Sequence, residues 1–125
     1  TTFCLVDSHR RYIGGSIVPG METSFHALAS KAARLFEVEW TRPAQALGNT
    51  TETQLQSGIF QAHEALIDGL VSRLLREAGS DFVRARKLLT GGCGHFLNLS
   101  EQGFEFIPTL TLEGLVRLGL EAWRS

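Results

Sequence analysis

Threonine hydroxyls set among glycines are the groups in this chain best suited to holding a small anionic ligand. Thr90-Gly91-Gly92-Cys93-Gly94 comes straight after a short apolar run. Backbone N–H groups exposed between a strand and a following helix can hold phosphate or sugar, and glycines let the ligand come close. No Gly-Lys-Ser/Thr follows, so this is not a P-loop, nor is it GxGxxG; a plain turn would use the same residues. Gly48-Asn49-Thr50-Thr51-Glu52 opens a long helical segment. Thr50 or Thr51 would make a good N-cap, and a helix N-terminus also attracts carboxylates and phosphates. Gly14-Gly15-x-Ile17-x-Pro19-Gly20 places adjacent glycines at a strand bend. There they permit positive φ or close approach of a ligand or another chain, or simply build a bulge and turn.

Other chemistries find less support. His9, His26, His63 and His95 show no HExxH or other ligand spacing, so no metal site is expected from them. His26 and His63 are expected on helices at a core edge or interface; His95, beside the glycine loop, is placed to touch a ligand but is expected first at a helix start. Cys93 has no visible histidine partner and reads as a small packed residue. Asp7, Asp68 and Asp81 are dispersed, without a paired-carboxylate arrangement. Trp40 and Trp123 read as core or interface residues. Cys4 and Cys93 form no CxxC pair, which argues against a disulfide scaffold or structural zinc and for a reducing, cytoplasmic setting.

At 125 residues, 43% hydrophobic and 20% charged with net charge −1, the chain has the composition of one ordinary globular domain. No apolar run approaches the roughly 18 residues of a transmembrane helix, so no membrane partner is expected. Without a basic excess there is no electrostatic footprint for nucleic acid. Thr1 leads at once into a strand-like run with no Met or signal peptide, and the chain is expected to be part of something longer.

The elements that would position these residues follow from periodicity. Thr2–Val6 reads as a strand, Asp7–Arg11 as a turn and Tyr12–Val18 as a second strand, making a hairpin that Pro19-Gly20 ends. Met21, Phe25, Leu28, Ala32 and Leu35 recur at helical spacing over roughly 21–35. Phe36–Trp40 alternates like a strand, and Thr41–Asn49 is a loop. From about Thr51 to Ala78, Leu55, Ile59, Leu66, Leu70 and Leu74 form one helical seam that Gly79 stops. Gly58 and Gly69 inside it point to a break or to close backbone packing, and two consecutive helices would fit the length. Asp81–Arg86 continues a helix, Lys87–Thr90 and Phe104–Ile107 are short strands, and a final helix runs over roughly 111–123. The fold class is α/β, a mixed sheet with flanking helices, in a single domain over residues 1–125.

The order of these motifs resembles type III pantothenate kinases. TTFCLVDSHRRYIGGSIVPGMETSFHALASKAARL is similar to the segment after that family's second phosphate loop. LGNTTETQLQSGIF resembles the segment in which a threonine contacts pantothenate, KLLTGGCGHFLNL the late glycine loop on the nucleotide side, and IPTLTLEGLVRLGL the C-terminal P-x-L-x-L-x-G-L pattern. The resemblance implies the C-terminal half of an actin-like, ribonuclease-H-like ATPase. Such enzymes transfer the γ-phosphoryl group of ATP to pantothenate, the first step of coenzyme A biosynthesis, as homodimers using Mg²⁺ and a monovalent cation (K⁺ or NH₄⁺). By position Thr51 would bind pantothenate, while Thr90, Gly91 and Gly92 would lie on the nucleotide side. Gly58 and Gly69 also fit a homodimer contact.

Departures from the family pattern are equally informative. The Asp-x-Gly-Asn-Thr phosphate loop, the Gly-x-Asp-Arg motif with its catalytic base and the cation-binding Asp-x-Gly-Thr loop do not occur here, and Thr1 and Thr2 look like the tail of the last. Cys4 stands where family sequences often have an acidic residue. No catalytic or metal-binding residue is therefore expected within the chain, and by itself it is expected to show negligible kinase activity, because phosphoryl transfer depends on those parts together. Two other readings stand beside this one: a non-enzymatic accessory or transcription-regulator-type interaction module of the same family, and a fragment of another ASKHA-superfamily sugar or acetate kinase sharing the Thr-Gly-Gly loop.

Overall fold

An apolar run rich in aromatic and β-branched residues near the start of the chain makes strand β1 (Thr2–Val6), which pairs antiparallel with β2 (Tyr12–Ile17). The computed structural model describes residues 1–31 and 38–124. With Phe3 opposite Ser16 and Leu5 opposite Gly14, the period of two turns Phe3 inward and leaves Cys4 and Val6 exposed. Gly15 is required by the pairing itself, since a Cβ there would run into the Phe3 carbonyl. The register shifts between Leu5 and Val6, and Asp7 organises the turn beyond. Its Oδ1 accepts the N–H groups of His9 and Arg11 at 2.9 Å each, and its Oδ2 accepts Arg11 Nε at 2.8 Å. These bonds, led by the Arg11 N–H, hold the Asp7 carboxyl below its ordinary value against the opposing effect of desolvation. Arg10 takes φ 64° within this turn.

Helix α1 (Met21–Lys31) starts directly after Pro19-Gly20, with the Ser24 N–H donating to the Gly20 carbonyl at 2.9 Å. The remainder of the helix expected over 21–35 lies outside the described residues. Of the strand expected over Phe36–Trp40, Phe36 and Glu37 also lie outside them, and Val38–Trp40 carry no regular structure.

Helix α2 (Thr51–Ala78) is one continuous element rather than two. It buries Ile59, Phe60, His63 and Ile67, a stripe at i, i+1, i+4 and i+8. Leu66, which its spacing places on the seam, is exposed. Gly58 and Gly69 neither break the helix nor pack closely, because a Cβ at either meets open space among the described residues. Gly79 ends α2 at φ 98°, its N–H reaching the Leu75 carbonyl at 3.3 Å. A single 3-10 turn (Ser80–Phe82) follows where a longer helix over Asp81–Arg86 was expected.

The chain divides into two compact units, Thr1–Ala85 and Arg86–Ser125. In the second, β3 (Lys87–Leu89) pairs in parallel with β4 (Phe104–Phe106), and the Ile107 N–H extends the ladder to the Leu89 carbonyl at 2.8 Å. Lys87 stitches the pair from one end: its Nζ donates to the Gln102 carbonyl at 3.0 Å and lies 5.1 Å from the Phe104 ring centroid. The crossover that a parallel pair demands carries the glycine loop and a 3-10 turn (Gly94–Phe96). Helix α3 (Leu110–Arg124) ends the chain with no buried residue. Trp123, expected in a core or interface, is exposed on it and so not part of a core, and Trp40 meets other rings in the first unit. Two small sheets and three helices make the chain mixed α/β. No helix among the described residues is long and apolar enough to cross a membrane.

Candidate functional site

Thr50 rather than Thr51 caps α2, and that choice decides what Thr51 can do. Thr50 sits in extended backbone, its Oγ1 accepting the Thr53 N–H at 3.1 Å, while Thr53 Oγ1 accepts the Thr50 N–H at 3.0 Å. This reciprocal box satisfies two donors at the helix mouth, and the Gln54 N–H takes the Thr50 carbonyl at 2.9 Å. Thr51 therefore occupies the first helical position. It is exposed, and its hydroxyl makes no hydrogen bond among the described residues. The earliest N–H groups of a helix have no internal acceptor, so this corner presents donors beside a hydroxyl.

The segment leading to this corner is irregular yet tied down along α2. The Trp40 ring meets that of Phe25 of α1 edge-on at 5.1 Å and that of Phe60 of α2 at a tilt at 5.6 Å. Arg42 Nη1 and Nη2 donate to Glu64 Oε1 and Oε2 at 2.6 and 2.9 Å, a bidentate pair. The Glu64 hydrogen bonds raise the Arg42 pKa above its ordinary value against the pull of desolvation. Gln56 Nε2 donates to the Glu39 carbonyl at 3.0 Å, and the Ser57 hydroxyl donates to that of Ala46. Gly48 presses against the backbone of Thr53 and Gln54 so closely that no Cβ fits.

Below this corner, His63 is 7% exposed and its Nε2 lies 2.9 Å from Thr1 Oγ1. Burial lowers its pKa below the ordinary 6.5. Because the folded value is depressed, the unfolded chain binds the extra proton as pH falls below about 6.5, so folding stability is lost below that point and is unaffected above it. The slope is bounded at about 1.4 kcal/mol per pH unit for one proton. Urea unfolding at pH 7.5 and pH 5 should show the loss, and His63→Gln should flatten this dependence; equal slopes in the two proteins would remove His63 as its source.

The second candidate loop belongs to the other unit. Thr90 follows β3, and its hydroxyl oxygen is buried with no hydrogen-bond partner among the described residues. A polar atom left in that state costs about 1–3 kcal/mol. Gly91 takes φ 105°, which only glycine adopts readily, and the Gly94 N–H closes the turn onto the Gly91 carbonyl at 3.0 Å. Gly94 is glycine because the Phe106 ring lies where its Cβ would be. Gly92 has neither constraint: a Cβ there meets open space. Cys93 is half-buried and His95 exposed, its ring 3.8 Å from that of Phe96. Among the described residues no three His, Cys, Asp or Glu side chains converge as a metal site.

Arg42, Glu64 and Ser57 carry no sequence signal of their own as partners of this corner, since the loop-to-helix pairing of Arg42 with Glu64 exists only after folding. The Thr-x-x-Thr spacing of Thr50 and Thr53 was the one local hint, a variant of the capping box.

Comparison with known proteins adds a family. The family model described as type III pantothenate kinase matches residues 1–73. A type III pantothenate kinase of Shouchella clausii is 41% identical over 116 residues, covering 92% of this chain and 44% of the relative. That of Acidobacterium capsulatum is 40% identical over 126 residues, covering 100% of this chain and 45% of the relative. That of Thermus thermophilus is 39% identical over 122 residues, covering 97% and 47%. The chain thus spans less than half the length of these relatives.

Proposed function

The chain belongs to the type III pantothenate kinase family, and on that premise we propose that it contributes to ATP-dependent phosphorylation of pantothenate to 4′-phosphopantothenate, the first step of coenzyme A biosynthesis. The observation that carries this reading is the coincidence of the matched span with Thr51, a hydroxyl exposed at the first position of a capped helix. Thr51 is the pantothenate contact. Thr90, Gly91 and Gly92 form the nucleotide-side loop: the buried Thr90 hydroxyl is a donor suited to an ATP oxygen, and bare backbone at Gly92 permits a phosphate or sugar to approach. The fold that goes with this assignment is actin-like and ribonuclease-H-like, with residues 1–125 as its C-terminal domain. Homodimer formation and a cytoplasmic location belong to the same reading.

No step is assigned to Mg²⁺ or the monovalent cation through this chain, since among the described residues no three His, Cys, Asp or Glu side chains converge. The catalytic base is likewise assigned to none of these residues.

Titrating the chain with pantothenate, followed by NMR at the Thr51 and Glu52 amides, tests the assignment. Thr51→Ala is expected to weaken binding about three- to tenfold, the range for one neutral hydrogen bond. Circular dichroism should show α2 intact, because an exposed substitution outside the cap changes stability by no more than about 0.5 kcal/mol. Equal affinity in Thr51→Ala and the parent chain would overturn the role given to Thr51, and no shift at either amide would overturn the site.

A further inference from the structure

We infer that Arg42 and Glu64 are positioning residues for Thr51, clamping an irregular strap onto α2 so that the first turn of the helix is held in one geometry. The consequence for pantothenate rests on the reading of Thr51 given above; the clamp itself rests on geometry. Residues 39–50 have no ladder of their own, and each ordered residue loses about 1–2 kcal/mol of backbone entropy. What offsets that loss comes mostly from α2. Three of its side chains hold the strap: Gln56 at the Glu39 carbonyl, Ser57 at the Ala46 carbonyl and Glu64 at the Arg42 guanidinium.

The tie between Arg42 and Glu64 is the only one of these three that is both charged and bidentate. Glu64 is 13% exposed at its side chain against 36% for Arg42, so the carboxylate is largely withdrawn from water and a planar fork meets it on two bonds. From Arg42 the strap runs to Ala46 and then Gly48, which lies against the Thr53 and Gln54 backbone without room for a side chain. Two residues further on, Thr50 closes the capping box. A shift of the strap at Arg42 therefore has little freedom to dissipate before it reaches the cap. Glu64 lies more than three turns from Thr51 along α2, so the strap supplies a second path between them.

Amide hydrogen exchange on the 125-residue chain reads this directly. Arg42→Gln and Glu64→Gln are each expected to speed exchange at Thr53 and Gln54 about tenfold, with amides at Phe60, His63 and Ile67 changing less than about twofold. The swapped pair Arg42→Glu/Glu64→Arg should return Thr53 and Gln54 to within about threefold of the parent, a rescue that loss of packing would not give. Unchanged exchange at Thr53 and Gln54 in both single variants would overturn the clamp. Equal acceleration across the helix would also overturn it, by showing general destabilisation instead. Pantothenate titration of the same proteins separates the two ideas. A clamp that passes the exchange test while pantothenate leaves the Thr51 amide unmoved would sink the Thr51 reading and leave the strap's mechanical role standing.

Discussion

Phe60→Ala is expected to remove about 3–5 kcal/mol of stability from the first unit, the range for truncating a buried phenylalanine. Phe60 is 1% exposed and, with Ile67, has one of the two largest fully buried side chains of the described residues. Its ring lies 5.6 Å from that of Trp40, which in turn stands edge-on to Phe25 at 5.1 Å. The three rings join α1, the strap and α2, so deleting the last leaves a cavity bounded by elements that are already tethered and cannot close it. A unit of this size has only about 5–15 kcal/mol to lose. Urea unfolding monitored by tryptophan fluorescence gives the number, since Trp40 reports on the cavity itself. A loss under about 1 kcal/mol would mean that the core is not organised around this ring. Phe60→Leu keeps most of the apolar volume and should cost less.

The second large effect is a contrast between two glycines close in sequence. Gly48→Ala is expected to cost about 1–3 kcal/mol, because the new Cβ overlaps backbone atoms of Thr53 and Gln54 and no side-chain rotation can relieve it. Either the loop lifts or the first turn of α2 frays, and both displace Thr51. Gly58→Ala should act in the opposite sense. Its Cβ meets open space on an exposed stretch of helix, and alanine gains up to about 1 kcal/mol over glycine there. Thermal unfolding of the two variants beside the parent is sufficient. Stabilisation by Gly48→Ala would show that the close approach at Gly48 does not hold in solution, and loss in Gly58→Ala would show that its Cβ does not meet open space.

These predictions show where sequence periodicity was informative. The β1–β2 hairpin, the start of α1 and the extent of α2 were legible because each is set by neighbours along the chain: the aromatic and β-branched run before a polar turn, the Pro19-Gly20 stop and the Gly79 cap. The same spacing misjudged Leu66, which is exposed. Helical periodicity says which residues share a face, not which of two adjoining apolar arcs another element will cover.

At the candidate site the division is sharper. The sequence by itself determined the family and the order of the elements, and it singled out Thr51 and Thr90-Gly91-Gly92, because motif order and local pattern are properties of the linear chain. The Thr50 cap is also local, made with Thr53 three residues on, whereas tertiary structure alone decided that Gly48 is needed for close approach and that Arg42 meets Glu64 across 22 positions. Those outcomes depend on which backbone lies against α2, and that contact forms only when the strap folds back over the helix and the aromatic cluster beneath it closes.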